Sequence, residues 1–260
     1  MQTISTSEIR LHIRDEGPRD GRIVMFGNSL GTDLRVWDTL LSLLPAGLRI
    51  IRFDKRGHGL SDATPAPYAM DDLVADAEAV CDGLGLRDIT FVGLSIGGLI
   101  GQGLAAKRPD LLRALVLMDT AAKIGTADMW QDRIDTINRD GIDALAGPIL
   151  ERWFTPGFRA DNPEFALWRN MLNRTTVAGY SGCCAAIAGA DLTENTRALR
   201  LPVMAMAGDQ DGSTPPDLVR ATAELCGAEF HLIADAGHIP CVEQPGATAK
   251  LLTDFLERTA

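Results

Sequence analysis

"TFVGLSIGGL", residues 90–99, sets a serine among three glycines at the end of an apolar run. The run before it, residues 89–94, reads as a buried strand, and the segment from residue 97 onward reads as a helix. Between them "GLSIG" (93–97) has the form G-x-S-x-G. A strand-to-helix turn that sharp forces its middle residue into strained backbone. Glycines two before and two after remove the side chains that would clash there. The serine oxygen then stands clear of the main chain at a helix N-terminus, where unpaired amides favour negative charge. A glycine-rich turn could serve packing alone, but a strand before it and a helix after it favour Ser95 as a nucleophile.

Outward from that turn, apolar strand-like runs recur at 22–28, 49–55, 114–120, 202–209 and 229–235. Most are near-continuously apolar, as parallel strands covered on both faces should be. Helical patterns lie between them at 71–86, 97–112, 217–227 and 247–259. Such alternation predicts an α/β fold with a mostly parallel, doubly wound sheet. It breaks between about 121 and 196, which reads as helices only and holds Trp130, Trp153 and Trp168. The expected organisation is a core of residues 1–122 and 197–260, with an inserted helical cap over 123–196.

The chain has 260 residues, 46% of them hydrophobic, enough for one large core. It has no run of 18 apolar residues, which argues against a membrane partner. Its opening lacks the basic-then-apolar build of a signal peptide, so the cytoplasm is the expected location. Five cysteines, an odd number with no CxxC pair, fit a reducing compartment and no structural zinc. Cys183 and Cys184 read as small packing residues of a cap helix. A formal charge of −10 disfavours nucleic acid. A homo-oligomer stays open.

A serine nucleophile needs a base, and the base needs an orienting acid. Of four histidines, His12 and His231 fall within strand-like stretches and read as structural. His58, in the turn "DKRGHGLSD", is a weaker rival. His238, in "ADAGHIPCVEQP", lies on a loop after the last strand, where open α/β sheets place their chemistry. Strand, G-x-S-x-G and helix together resemble the nucleophile elbow of the α/β-hydrolases. That resemblance implies an acid between serine and histidine in chain order. "AMAGDQDGSTPP" (205–216) offers Asp209 and Asp211, and the fold's G-x-x-D pattern implies Asp211, leaving Asp209 to fix the loop. An oxyanion hole would use the backbone amides of Ile96 and Leu30. Many hydrolases carry His-Gly where Asn28 and Ser29 stand here. Ser29 is kept as a candidate substrate contact.

The stretches "NSLGTDLRVWD", "RFDKRGHGLSD", "GLSIGGLIGQGLA", "DTAAKIGTADMWQDRI", "RWFTPGF" and "GYSGCCAAIAGADL" resemble the 3-oxoadipate enol-lactonases, from about residue 10 to the C-terminus. The resemblance implies cofactor-free, metal-free hydrolysis of a small anionic lactone in bacterial aromatic breakdown. The alternatives are a carboxylesterase or carbon–carbon bond hydrolase on the same triad, and a small-molecule receptor that keeps the hydrolase fold. Arginine is this chain's default cation, 21 against four lysines, so its presence in the cap is weak evidence by itself. Position narrows the choice: Trp130 and Arg133, three apart on one helix face, are the candidate wall and carboxylate partner. A solvated pairing of Arg133 with Asp132 or Asp135 is the competing reading, with Arg152 and Arg174 as substitutes.

Overall fold

A computed structural model describes residues 1–259. Eight strands form one sheet: β1 (Gln2–Ser5), β2 (Arg10–Glu16), β3 (Arg22–Gly27), β4 (Leu48–Phe53), β5 (Ile89–Leu94), β6 (Leu112–Met118), β7 (Val203–Gly208) and β8 (Glu229–Ile233). Their order is β1-β2-β4-β3-β5-β6-β7-β8. From β4 to β8 every pairing is parallel, whereas β1–β2 and β2–β4 are antiparallel. The six apolar runs are thus the parallel strands. β1 and β2 carry no such run: β1 is the largely exposed edge, and β2 interleaves polar residues with Leu11 and Ile13.

The helices are α1 (Asp38–Leu41), α2 (Met70–Gly83), α3 (Ile96–Lys107), α4 (Ala127–Asp140), α5 (Asp143–Trp153), α6 (Pro156–Asp161), α7 (Phe165–Asn173), α8 (Val177–Gly189), α9 (Thr193–Arg197), α10 (Pro216–Cys226), α11 (Pro240–Glu243) and α12 (Pro245–Arg258). The pattern at 97–112 runs past the end of α3, since Pro109 forbids the helix to continue through Arg108. Between β6 and β7 the described chain contains helices alone, α4 to α9. Threonine caps set three of these starts: Thr126, Thr155 and Thr176 each accept a backbone N–H from the first turn of the helix that follows. Helix α4 runs along α8, and Cys183 and Cys184 of α8 are both buried.

Strand β5, at the middle of the sheet, is buried at all six positions. Full burial of a residue such as Phe91 stabilises by roughly 2–3 kcal/mol. At its carboxyl end the turn into α3 passes against β3 with no room to spare. A Cβ on Gly97 would lie 2.1 Å from the Gly27 oxygen, and one on Gly93 would lie 2.3 Å from the Gly97 oxygen. The glycines of G-x-S-x-G therefore exist for backbone contact, and that contact brings the ends of β3 and β5 together.

Candidate active site

Ser95 occupies the turn between β5 and α3 with φ 57° and ψ −119°. An ordinary residue reaches that conformation only at a cost of about 1–3 kcal/mol. Besides the first-turn amides of α3, two bonds from the end of β6 and the residues after it hold it: the Ser95 amide donates to the Met118 oxygen at 3.0 Å, and Thr120 Oγ1 donates to the Ser95 oxygen at 2.6 Å. The next amide, Ile96, opens α3 and has no carbonyl one turn back to receive it. Ile96 itself is fully buried and contributes nothing else to the site.

His238 lies on the loop after β8, fastened by its amide donating to the Trp153 oxygen at 2.8 Å. Its Nδ1 faces Asp211 at 2.9 and 3.0 Å from the two carboxylate oxygens. That contact assigns the proton to Nδ1 and leaves Nε2 as the basic nitrogen. The Asp211 carboxylate also accepts from the Ser213 amide at 2.7 Å, the Thr214 amide at 3.1 Å and Thr214 Oγ1 at 2.7 Å. Burial works to raise its pKa, but the His238 ring and these donors outweigh burial and hold it below the usual value. Asp209, by contrast, is exposed and accepts from the Ala236 amide at 3.2 Å, two residues before His238. The structure thus puts Asp211 at the ring and the Asp209 carboxylate against the backbone of the loop that carries the ring.

The loop after β3 supplies the other wall. Asn28 is spent on structure, its Nδ2 donating to the Phe53 oxygen at 2.9 Å and its Oδ1 accepting from Trp37 Nε1 at 2.7 Å. Around Leu30 the neighbouring amides are taken: Gly31 donates to His58 Nε2 at 3.0 Å, and Thr32 to the Ser29 oxygen at 3.2 Å. The Leu30 amide has no such acceptor among the described residues. Ser29 is 1% exposed, and its Oγ is buried with no hydrogen-bond partner among the described residues. His58 Nδ1 lies 3.1 Å from the Arg56 oxygen, so its proton and lone pair are both committed. Burial, helped by the Lys55 charge, pushes its pKa well down. His58 is a neutral brace and no base. His12 is occupied too, with Nδ1 at 2.8 Å from Asp54 Oδ2.

Ser29, Leu30, Ser95 and His238 open into one cavity of about 90 Å³, roofed by Trp130, Arg133, Arg152 and Trp153. Arg133 sits 4.9 Å over the Trp130 ring, an attractive cation–π contact. Among the described residues neither Asp132 nor Asp135 forms an ion pair with it, and Asp135 instead accepts from Gln131 at 2.8 Å. Arg152 reaches the same cavity, whereas Arg174 lines separate clefts beside Arg35 and Met171. A larger hollow of about 650 Å³, between the end of α3 and residues 194–201, is lined by no serine, cysteine or histidine. Asp119, Asp211 and His238 form the one His/Cys/Asp/Glu group among the described residues spaced closely enough for a metal ion. Within it His238 Nδ1 lies against the Asp211 carboxylate, the arrangement of an imidazole held by an orienting acid.

Thr214 and Asp119 were not singled out from the sequence. An aspartate just past an apolar strand is itself a signal in an open α/β sheet, and "LMDT" carries it.

Residues 22–245 match the family model described as alpha/beta hydrolase fold. The chain belongs to the α/β-hydrolase family. It is 36% identical over 249 residues to "3-oxoadipate enol-lactonase 2" of Acinetobacter baylyi, covering 94% of this chain and 92% of that protein. A second enol-lactonase of the same organism is 29% identical over 95% of this chain and 93% of its own length. Among solved structures, the enol-lactonase from Burkholderia xenovorans LB400 superposes with a TM-score of 0.95 at 34% identity, covering 98% of this chain and all of the other. The resemblance read from the motifs therefore holds over the whole chain, and the protein is an enzyme of the hydrolase class.

Proposed function

We propose that this α/β-hydrolase opens 3-oxoadipate enol-lactone to 3-oxoadipate through an acyl-enzyme on Ser95. One observation carries the reading. A strained serine, a free imidazole nitrogen and a guanidinium without a carboxylate partner face the same small cavity. That set suits a flat ring ester bearing a carboxylate, and the full-length similarity to two enol-lactonases supports it.

In this mechanism Nε2 of His238 takes the Ser95 proton as Oγ attacks the lactone carbonyl. Negative charge gathers on the former carbonyl oxygen, between the amides of Leu30 and Ile96. Collapse breaks the ring C–O bond and expels an enolate, which stays tethered to the acyl group. Protonation to the ketone removes the nucleophile that could close the ring again. Water activated by His238 then releases the diacid and Ser95. Ser29 Oγ, buried and unspent, is a further donor toward the bound lactone, and Arg133 holds the carboxymethyl arm beside the Trp130 indole.

The test is loss of the enol-lactone's ultraviolet absorbance on adding purified protein, beside a neutral aryl ester. Sustained turnover of the lactone, at least about tenfold more efficient than of the ester, is expected. Preference for the ester, or a single turnover per chain, overturns the reading. Ser95→Ala should lose on the order of a millionfold in rate. Retention of more than about a tenth of kcat, a loss of only about 1.4 kcal/mol, removes Ser95 from the chemistry.

A further inference from the structure

Behind the candidate triad stands a second carboxyl group that the mechanism above does not use. Asp119 directly follows β6 and is fully buried, with its backbone at φ 44°. Its amide donates to the Met206 oxygen at 2.9 Å, and its Oδ1 accepts from the Gly208 amide at 2.9 Å. Its Oδ2 is buried and receives no hydrogen bond from any donor among the described residues. One oxygen of Asp119, one oxygen of Asp211 and a ring nitrogen of His238 all lie within 4.8 Å of one another.

The two carboxyls are unequally solvated. Asp211 receives three hydrogen bonds from Ser213 and Thr214 and a fourth from His238. Asp119 receives one. Two buried carboxylates this close oppose each other's ionisation, so a proton is retained on the pair. It belongs on the member with fewer donors, and an Oδ2 that accepts nothing is where it would sit.

We propose that Asp119 is a positioning residue that carries a proton on Oδ2 and donates it to the Asp211 carboxylate. The pair then presents one negative charge to His238. A second ionised carboxyl would stabilise the imidazolium further and leave Nε2 less often free to act as a base. The proton donated by Asp119 also adds a donor to Asp211 besides Ser213, Thr214 and His238. The groups facing Asp119 are Asp211 after β7, His238 after β8, and Cys241 and Glu243 on α11. Burial pushes Asp119 well above the usual carboxyl value, with the Asp211 charge next in effect and the Gly208 amide opposing. Burial likewise pushes the Cys241 thiol up and keeps it uncharged, while the Glu243 carboxylate is engaged by Thr155 and the Gly237 amide.

The role given to Asp119 rests on the triad reading, but its test needs no turnover. The first measurement is infrared difference spectroscopy of wild type against Asp119→Asn at neutral pH. A carbonyl stretch of a protonated carboxyl, present in wild type and absent in the variant, is expected. Absence of that band in wild type overturns the proposal. The second is the titration of the His238 ring, followed by nitrogen NMR. Asparagine keeps a neutral donor in place, so the His238 midpoint should move by less than about 0.3 unit. An ionised Asp119 would instead lower that midpoint by about one unit or more when replaced, because a charge this close is worth at least that. Such a fall overturns the proposal. Asp119→Gly, which tolerates the positive φ, removes the donor altogether and should raise the midpoint, with asparagine restoring it. If Ser95→Ala proves active, the triad reading falls while the infrared band still reports the Asp119 proton.

Discussion

Asp209 and Asp211 share a loop and a charge, and differ in what they face. Asp211 accepts from the imidazole, and its removal leaves His238 free to adopt the wrong tautomer. Asp211→Asn is expected to lower kcat by roughly four orders of magnitude in a folded protein. Asp209→Asn weakens only the bond to the Ala236 amide and should cost less than about tenfold, within 1.4 kcal/mol. Steady-state kinetics on both variants, with thermal unfolding to verify the fold, decides between them. The reverse order of damage would reassign the acid. At this scale the sequence was informative because strand ends and chain order restrict where a serine, an acid and a base can meet. Asp119 escaped notice because its meaning lies in a neighbour 92 positions away in the chain, on another strand end.

The loop carrying Leu30 is held by the turn after β4. Lys55 is 2% exposed, and its Nζ donates to the Ser29 oxygen at 2.6 Å and the Thr32 oxygen at 3.2 Å. His58 holds the Gly31 amide, and Asp54 Oδ1 accepts from the Leu34 amide at 2.8 Å. "DKRGHGLSD" reads as a structural turn, and it holds the loop whose Leu30 amide the proposed mechanism uses. Burial pushes the Lys55 ammonium from an ordinary 10.5 down to about 8. Below about pH 8 both folded and unfolded chains carry that proton, and the burial penalty is present in full. Between about 8 and 10.5 only the unfolded chain keeps it, so the Lys55 contribution to stability rises with pH, by up to about 3 kcal/mol. Urea unfolding across that range should show the rise in wild type and not in Lys55→Met. The same variant should lower kcat at least about tenfold, through misplacement of an oxyanion donor. A pH-independent difference in stability between the two proteins would show that Lys55 does not titrate there.

For the whole molecule the difficulty is charge: a protein of net −10 is proposed to take an anion. Arg133 and Arg152 line both the inner cavity and a groove of about 250 Å³ outside it, between α4 and α5. An anion entering there meets two guanidiniums with no ion-pair partner within the described residues, against a mean field that repels it. Salt screens both, over a Debye length of about 8 Å at physiological strength. Arg133→Leu should raise KM for the carboxylated lactone at least about tenfold, near 1.4 kcal/mol, and leave a neutral aryl ester almost unchanged. Added salt should lower kcat/KM for the lactone in wild type, where attraction dominates, and raise it in the variant, where only repulsion remains. An equal effect on both substrates, with no change in salt response, would exclude Arg133 from substrate binding.

The sequence by itself determined the parallel sheet, the elbow at Ser95 and the run of helices between β6 and β7, because each is written in local pattern: buried strands as apolar runs, a tight turn as paired glycines, helices as a period. The antiparallel β1 and β2 left no apolar run, since β1 is largely exposed and β2 interleaves arginine and histidine with Leu11 and Ile13. Only tertiary structure decided that Arg133 turns inward over Trp130, that Lys55 and His58 brace the loop beside Leu30, and that Asp119 backs Asp211. The last two depend on which strand ends lie side by side, and the order β4-β3-β5-β6-β7-β8 is a property of the folded chain that no single segment encodes.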